Sequence, residues 1–216
     1  MFYVLKPKTI KTELICFNKK VSINDNSYNI FISYKKKESK KDFILQTPIM
    51  ITPFGVSEFG SNKYIDLSFI NMNEDDDIRN LYNKIKEINS HILKHMRYKH
   101  KCYKRNFINS IKQSSGIYPE RIRLSINSRL KIYDKYNQLI DLESIKSRIL
   151  TKALIHVSHI WLNNNKFGIF WNIVQLKTYG KLVLEEFQFL DEDHSHYTIK
   201  IPNINTIPPA PPPPPP

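Results

Sequence analysis

The chain has 216 residues, 41% of them hydrophobic and 25% charged, with a formal net charge of +13 and a pI of about 9.6. That is enough for one sizeable domain with extensions, but no apolar run approaches the roughly 20 residues of a membrane helix, and the apolar start at residues 1–5 is too short for a signal peptide. Two cysteines, Cys16 and Cys102, are too few for a disulfide scaffold or an all-cysteine zinc site. Without a membrane-length apolar run or a signal-like start, an intracellular location is expected, and the charge surplus favours a polyanionic partner, nucleic acid ahead of an anionic membrane. The abundance of Lys, Asn and Ile also fits an A/T-rich genome, so clustered cations weigh more than their total.

Residues 1–27 read as a mixed polar arm, with a short strand at 2–5 or 13–17. Residues 28–34 form a strand with Ile30 and Ile32 on one face and Phe31 and Ser33 on the other. A basic loop follows, with Lys35, Lys36, Lys37, Lys40 and Lys41, placed for phosphate contact or for simple solvation. A second strand, 43–52, is interrupted by Pro48, which lacks the ladder donor. A turn at 53–57 leads to a third strand, 63–71, with Ile65, Leu67 and Phe69 on one face.

The clearest helix runs from 75 to 98, about 36 Å. Asn73 is its expected cap, and Glu74, Asp75, Asp76 and Asp77 lie at its positive end. Successive helical residues point apart, so this acidic group suits the dipole better than a metal. Ile78, Leu81, Tyr82, Ile85, Ile88, Ile92 and Met96 keep helical spacing and mark a buried face. No acidic residue occurs between Glu87 and Glu120. That gap holds Lys94, Arg97, Lys99, Lys101, Lys104, Arg105 and Lys112 among Tyr98, Tyr103 and Phe107, a basic and aromatic mixture suited to nucleic acid. His91, His95, His100 and Cys102 lack zinc-site spacing; neither a metal nor a cofactor is expected.

In 121–126, Arg121, Arg123 and Ser125 alternate with Ile122, Leu124 and Ile126, giving one cationic face and one core face. Residues 131–134 extend this strand, 136–138 turn, and 141–148 form a polar connector. Residues 150–162 then read as a long strand pairing with 169–179 across the polar block 163–166. Both tryptophans of the chain, Trp161 and Trp171, lie in this hairpin. Strict alternation puts Val174 and Leu176 on the core side and Trp171, Gln175, Lys177 and Tyr179 on a wet side. A strand tryptophan is commonly core, but alternating cations and rings suit stacked bases and phosphates. From Glu185 the composition changes: Glu185, Glu186, Asp191, Glu192 and Asp193 form an acidic patch, and Pro202, Pro208, Pro209 and the run 211–216 follow. This tail cannot build a core and is expected to be disordered, with polyproline II at its end.

The expected domains are an arm at 1–27, a nucleic-acid-binding domain at 28–184 and a tail at 185–216. Short strands with a helix before the fourth suit an OB-fold. Three blocks resemble the OB-fold single-stranded-DNA-binding proteins of large nucleocytoplasmic DNA viruses, distant relatives of tailed-phage single-stranded-DNA-binding proteins. They are residues 45–57 with Asp66, Leu67, Ser68 and Phe69; residues 118–124; and residues 161–179. The resemblance spans roughly 28–180. It implies a mainly β fold with one long helix, a five-stranded Greek-key barrel with the helix between strands 3 and 4. It also implies non-catalytic coating of single strands in viral replication, recombination or repair, at a replication site in the cytoplasm or nucleus of the host. An acidic tail would contact replication partners and compete with DNA. Here prolines follow the acidic patch instead of a terminal acidic run ending in an aromatic, which opens a proline-rich ligand role for the tail.

The candidate contacts are Lys35, Lys36, Lys37, Arg97, Lys99, Lys101, Tyr103, Arg105, Arg121, Arg123, Trp171, Lys177 and Tyr179, with Trp171, Lys177, Arg121 and Arg123 expected in one shared trough. The partners would be single-stranded DNA or RNA, replication or recombination proteins at the tail, and a second copy of the chain; no membrane is expected. A basic virion or genome-packaging protein, or an adaptor working through its prolines, is the alternative. A nuclease is disfavoured: no carboxylate cluster spans separate strands, and five glycines leave no glycine-rich phosphate loop.

Overall fold

The computed structural model describes residues 3–100, 102, 106–113, 119–163 and 165–181. Strands dominate, as expected, and one helix crosses the middle of the chain. The strands are β1 (Val4–Leu5), β2 (Ile15–Asn24), β3 (Ser27–Lys36), β4 (Ser39–Asp42), β5 (Ile44–Gln46), β6 (Met50–Thr52), β7 (Val56–Phe59) and β8 (Asn62–Ser68). Helix α1 (Asp76–His100) follows, then β9 (Asn106–Ile108), β10 (Ile111–Lys112), β11 (Arg121–Tyr133), β12 (Ile149–Asn163) and β13 (Lys166–Lys181). Among the described residues no helix is long and apolar enough to cross a membrane.

The strands join in a sheet whose pairings close on themselves. β12 pairs with β6, β6 with β8, β8 with β11, β11 with β13, and β13 returns to β12. Closing a sheet removes the open edge where another chain could pair. β3 adds to β12 and carries β2 and β4, so residues of the expected arm enter the sheet. Pro48 interrupts pairing between β5 and β6, as its missing donor requires. Across that gap Thr47 donates its N–H to Ala153 O (2.9 Å) and accepts the Ala153 N–H at Oγ1 (2.9 Å). The basic stretch expected as a loop is instead a hairpin: β3 continues through Lys36, and Lys37 makes the turn at φ 52°.

α1 buries Ile78, Leu81, Ile85, Ile88, Ile92 and Met96 in the same core as Ile65, Leu67, Ile122, Leu124, Ile160 and Ile173. Its cap is Asp75, two residues after the expected Asn73. The Asp75 carboxylate accepts the N–H groups of Asp77 (2.8 Å) and Ile78 (3.0 Å), which the helix itself leaves unpaired. The N-terminal segment straps the outside of the helix: Lys84 Nζ donates to Ile10 O (2.9 Å) and Lys8 pairs with Asp77 (3.0 Å).

A bulge in β13 sets which side chains meet solvent. Ile173 pairs with Ile155 and Gln175 with Leu154, so Val174 has no opposite residue. One extra residue inverts the alternation beyond it. Before the bulge Phe167, Ile169, Trp171 and Ile173 are buried; after it Leu176 and Thr178 are. Phe170 and Asn172 therefore share the outer side with Gln175, Lys177 and Tyr179. The expectation that Trp171 shares a wet face with Lys177 is overturned by this inversion.

Candidate functional site

On the outer side of the ring, a hollow of about 530 Å³ opens between the β7–β8 hairpin, the β9–β10 turn, β11 and the β12–β13 hairpin. Phe59 and Tyr64 line one side, Asn109, Ser110 and Lys112 another, and Arg123, His159, Trp161 and Phe170 the sheet between. Cross-strand pairing creates the ring-bearing part. His159 lies opposite both Phe31 on β3 and Phe170 on β13. Its imidazole stacks on Phe170 with centroids 4.8 Å apart and meets Phe31 at 5.5 Å. Phe31 is 43% exposed and Phe59 65%, so both offer ring faces outward. Burial, then the nearby His156, pushes the His159 pKa down to about 4. The imidazole is therefore neutral at physiological pH and serves as one more flat ring.

Trp161 lies over Gly168, its cross-strand partner. A Cβ at residue 168 would come within 2.8 Å of Trp161 Cζ2, so only glycine lets the indole lie there. Trp171 forms the inner wall. It is 3% exposed, and its Nε1–H donates to Ser110 Oγ (2.8 Å). Ser110 donates onward to Asn89 Oδ1 (2.6 Å), and Asn89 Nδ2 donates to Asn109 Oδ1 (2.9 Å). This chain of hydrogen bonds fixes the β9–β10 turn between the helix and β13.

The charged part is an arginine pair on one buried carboxylate. Arg123 grips Asp66 through Nε (2.9 Å) and Nη2 (3.0 Å), and Arg121 Nε reaches the same group at 3.1 Å. Asp66 is only 2% exposed. The arginines stand next to rings, Arg123 5.8 Å from Tyr64 and Arg121 5.5 Å from Phe54. One carboxylate neutralises one of two cations, leaving one net positive charge and unused guanidinium N–H groups.

A second, smaller hollow of about 280 Å³ lies further along the same hairpin, lined by Gln46, Tyr133, Asn137, Lys152, Leu154, Gln175 and Lys177. Lys177 Nζ donates to Asn137 Oδ1 (2.6 Å) and stands 5.7 Å from the Tyr179 ring.

The expected shared trough is thus divided. Arg123 and Trp171 line the large hollow, Arg121 stands beside Arg123 on Asp66, and Lys177 lines the small hollow with Tyr179 close by. Trp171, expected to offer a stacking face, has none to offer, because its buried indole is held by Ser110. Lys35, Lys36 and Lys37 are exposed at the β3–β4 hairpin, Lys36 over the Tyr3 ring at 3.6 Å. Arg97 and Lys99 are exposed in the last turn of α1, where cations favour the helix dipole. Lys101, Tyr103 and Arg105 lie outside the described residues. Sequence reasoning leaves Phe31, Phe59, Tyr64, His159, Trp161, Phe170 and Lys112 out of the site. Phe31 has a signal, an aromatic outward between two inward isoleucines. His159 and Phe170 have none, because the bulges that turn them outward leave no mark in composition.

Among solved structures, the chain is similar to gp2.5, a single-stranded DNA binding protein encoded by bacteriophage T7. The TM-score is 0.50 at 10% identity, over 71% of this chain and 98% of that one. It is also similar to the single-stranded DNA-binding protein of bacteriophage Enc34 in complex with ssDNA, at a TM-score of 0.39 and 14% identity, over 75% and 94% of the two chains. The likeness to gp2.5 is one of fold. A curated relative, the uncharacterized protein L291 of Acanthamoeba polyphaga mimivirus, is 25% identical over an alignment of 193 residues that covers 76% of this chain. The chain spans only 31% of that relative's length. A family model matches residues 66–191, more than half of the 216 residues and a span that holds Asp66, both arginines and the whole β12–β13 hairpin; the chain belongs to the family of unknown function DUF5871.

Proposed function

We propose that this protein binds single-stranded DNA without catalysing a reaction, and that the closed ring is an OB-fold barrel carrying the strand on its outer wall. The observation that carries this reading is the large hollow, lined by the rings of Phe59, Tyr64, His159 and Phe170 together with Arg123, which stands 5.8 Å from Tyr64, while Phe31 extends the ring surface from His159 onto β3. Unpaired bases need ring faces and their phosphates need cations, with little dependence on base identity. A duplex hides its base faces and gains little from such a wall. The fold shared with gp2.5 supports the reading, as does that protein's own binding to single-stranded DNA. The mimivirus relative supports a viral setting; a role in viral DNA replication, recombination or repair is carried by the resemblance of the three sequence blocks alone. The acidic and proline-rich tail, outside the described residues, is the proposed contact for replication proteins.

Fluorescence anisotropy with matched single-stranded DNA, single-stranded RNA and duplex tests this reading. The single strand is expected to bind most tightly, and the double substitution Phe31→Ala and Phe170→Ala should weaken it about 5- to 150-fold for each stack removed. Duplex bound as tightly as single strand, or affinity indifferent to both substitutions, overturns the reading and favours a genome-packaging protein.

A further inference from the structure

The small hollow holds an arrangement that β-sheets avoid. Lys152 and Lys177 lie directly opposite one another on β12 and β13. Like charges in that position repel. Among the described residues neither lysine is in an ion pair, and no carboxylate lines the hollow. The remaining polar lining is neutral: Gln46, Gln175, Asn137 and Tyr133. Lys131, exposed where the other two lysines are partly buried, adds a third cation, since β11 pairs it with Gln175 and places Tyr133 beside Lys177. A concave surface with opposed cations, amide donors and no counter-ion is matched to an anion.

We infer that this hollow is a second subsite for backbone phosphate, taking the strand after it leaves the large hollow. The inference rests on the single-strand reading above and adds a path to it. The Val174 bulge turns Phe170 and Lys177 to the same side of β13, and seven residues of strand separate them by about 20 Å. Asn172 and His156 pair across the hairpin between the two hollows. A bound strand therefore runs along the β12–β13 hairpin, rings at one end and phosphate contacts at the other, and a short oligonucleotide reaches only one of them.

The experiment uses the full chain, wild type and Lys152→Gln with Lys177→Gln, and dT oligonucleotides of about 3 and about 20 nucleotides, the shorter too short to span both hollows. Both substitutions keep solvent-facing polar side chains and remove a repulsion, so the thermal midpoint should hold or rise. The expected result is unchanged affinity for the short oligonucleotide and about tenfold weaker binding of the long one. The salt slope for the long one should be shallower by about 1.4, the value for two fewer neutralised phosphates on a single strand. Lysine footprinting of the wild type gives an answer that needs no variant: the long oligonucleotide, but not the short one, should shield Lys152 and Lys177 from acetylation. Equal affinity and slope for the two proteins, or unshielded lysines under bound long oligonucleotide, overturns the subsite and leaves single-strand binding standing. Failure of the wild type to bind either oligonucleotide overturns both.

Discussion

Asp66 shows how one residue changes the meaning of two others. Read along β11, Arg121 and Arg123 are two exposed cations; in the fold they share one buried carboxylate. Burying a carboxylate is costly unless cations and hydrogen bonds compensate, and here three donors do so. Asp66→Ala would leave two half-buried guanidinium groups without a partner. Because Arg121 is 20% and Arg123 40% exposed, solvent screens part of the loss, and stability should fall by about 1–3 kcal/mol, measurable by urea denaturation. A loss below about 1 kcal/mol would mean solvent screens the arginines well enough. The histidines give a second residue-level expectation. Burial lowers the pKa of His95 and His159 to about 4, with neighbouring histidines adding to it, and lowers those of His91, His100 and His156 in the same direction. Each of these groups binds its proton more readily in the unfolded chain, whose histidine pKa is about 6.5. Folding is therefore favoured above that value, and stability drains away as the pH falls from about 6.5 towards 4. Thermal melts across that window should show a falling midpoint, and His95→Phe with His159→Phe should make the fall shallower. A midpoint that rises on acidification contradicts the burial.

At the scale of elements, periodicity carries what local chemistry decides. α1 is legible because its apolar residues keep one spacing for about five turns and its acidic start announces a positive end. The break at Pro48 and the alternation of Arg121, Ile122 and Arg123 are equally local. What escapes depends on partners distant in sequence. Val174 is skipped only because β12 supplies no residue opposite it, and from that point to Thr178 the side chains of β13 change face. Trp171 and Lys177 have the same parity in sequence and opposite environments in the fold. Asp66 looks like a lone acid because its partners lie 55 and 57 residues away. The contact between Trp161 and Gly168 is of the same kind and gives a test of the hairpin. In Gly168→Ala the new methyl would sit 2.8 Å from Cζ2 and 3.0 Å from Cε2 of Trp161, so the indole must leave the strand surface. Overpacking of this sort costs about 1–3 kcal/mol. Because Trp171 stays enclosed, a red shift in emission with easier acrylamide quenching would report Trp161 alone. Unchanged emission would mean that the hairpin backbone yields instead of the ring.

At the scale of the whole molecule, the question is how a net charge of +13 is used. A solvated excess of lysine raises solubility and attracts any polyanion; a groove that tracks a strand holds a defined number of phosphates. The cations here are not spread evenly. Arg123 and Lys112 line the large hollow, Lys152 and Lys177 the small one, and Lys35, Lys36 and Lys37 crowd a hairpin on the strand that carries Phe31. Phe31 and Lys35 are four residues apart on one face of β3, about 13 Å, so that hairpin continues the ring-bearing surface. With Lys36 turned to the other face over Tyr3 and Arg123 held by Asp66, a strand crossing from it to the β12–β13 hairpin would meet about five cations, Lys35, Lys37, Lys112, Lys152 and Lys177. Each phosphate neutralised on a single strand contributes about −0.7 to the slope of log affinity against log salt, which puts the expected slope near −3.5. Anisotropy titrations of a long dT oligonucleotide from about 50 to 400 mM salt measure it directly. The ring contacts set the other limit. Stacking does not depend on counter-ions, so affinity extrapolated to about 1 M salt should remain measurable and should fall when Phe31 and Phe170 are removed together. A slope near zero, or a residual affinity indifferent to the two phenylalanines, would separate the charge from the rings and leave the outer wall without the combination that single-strand binding requires.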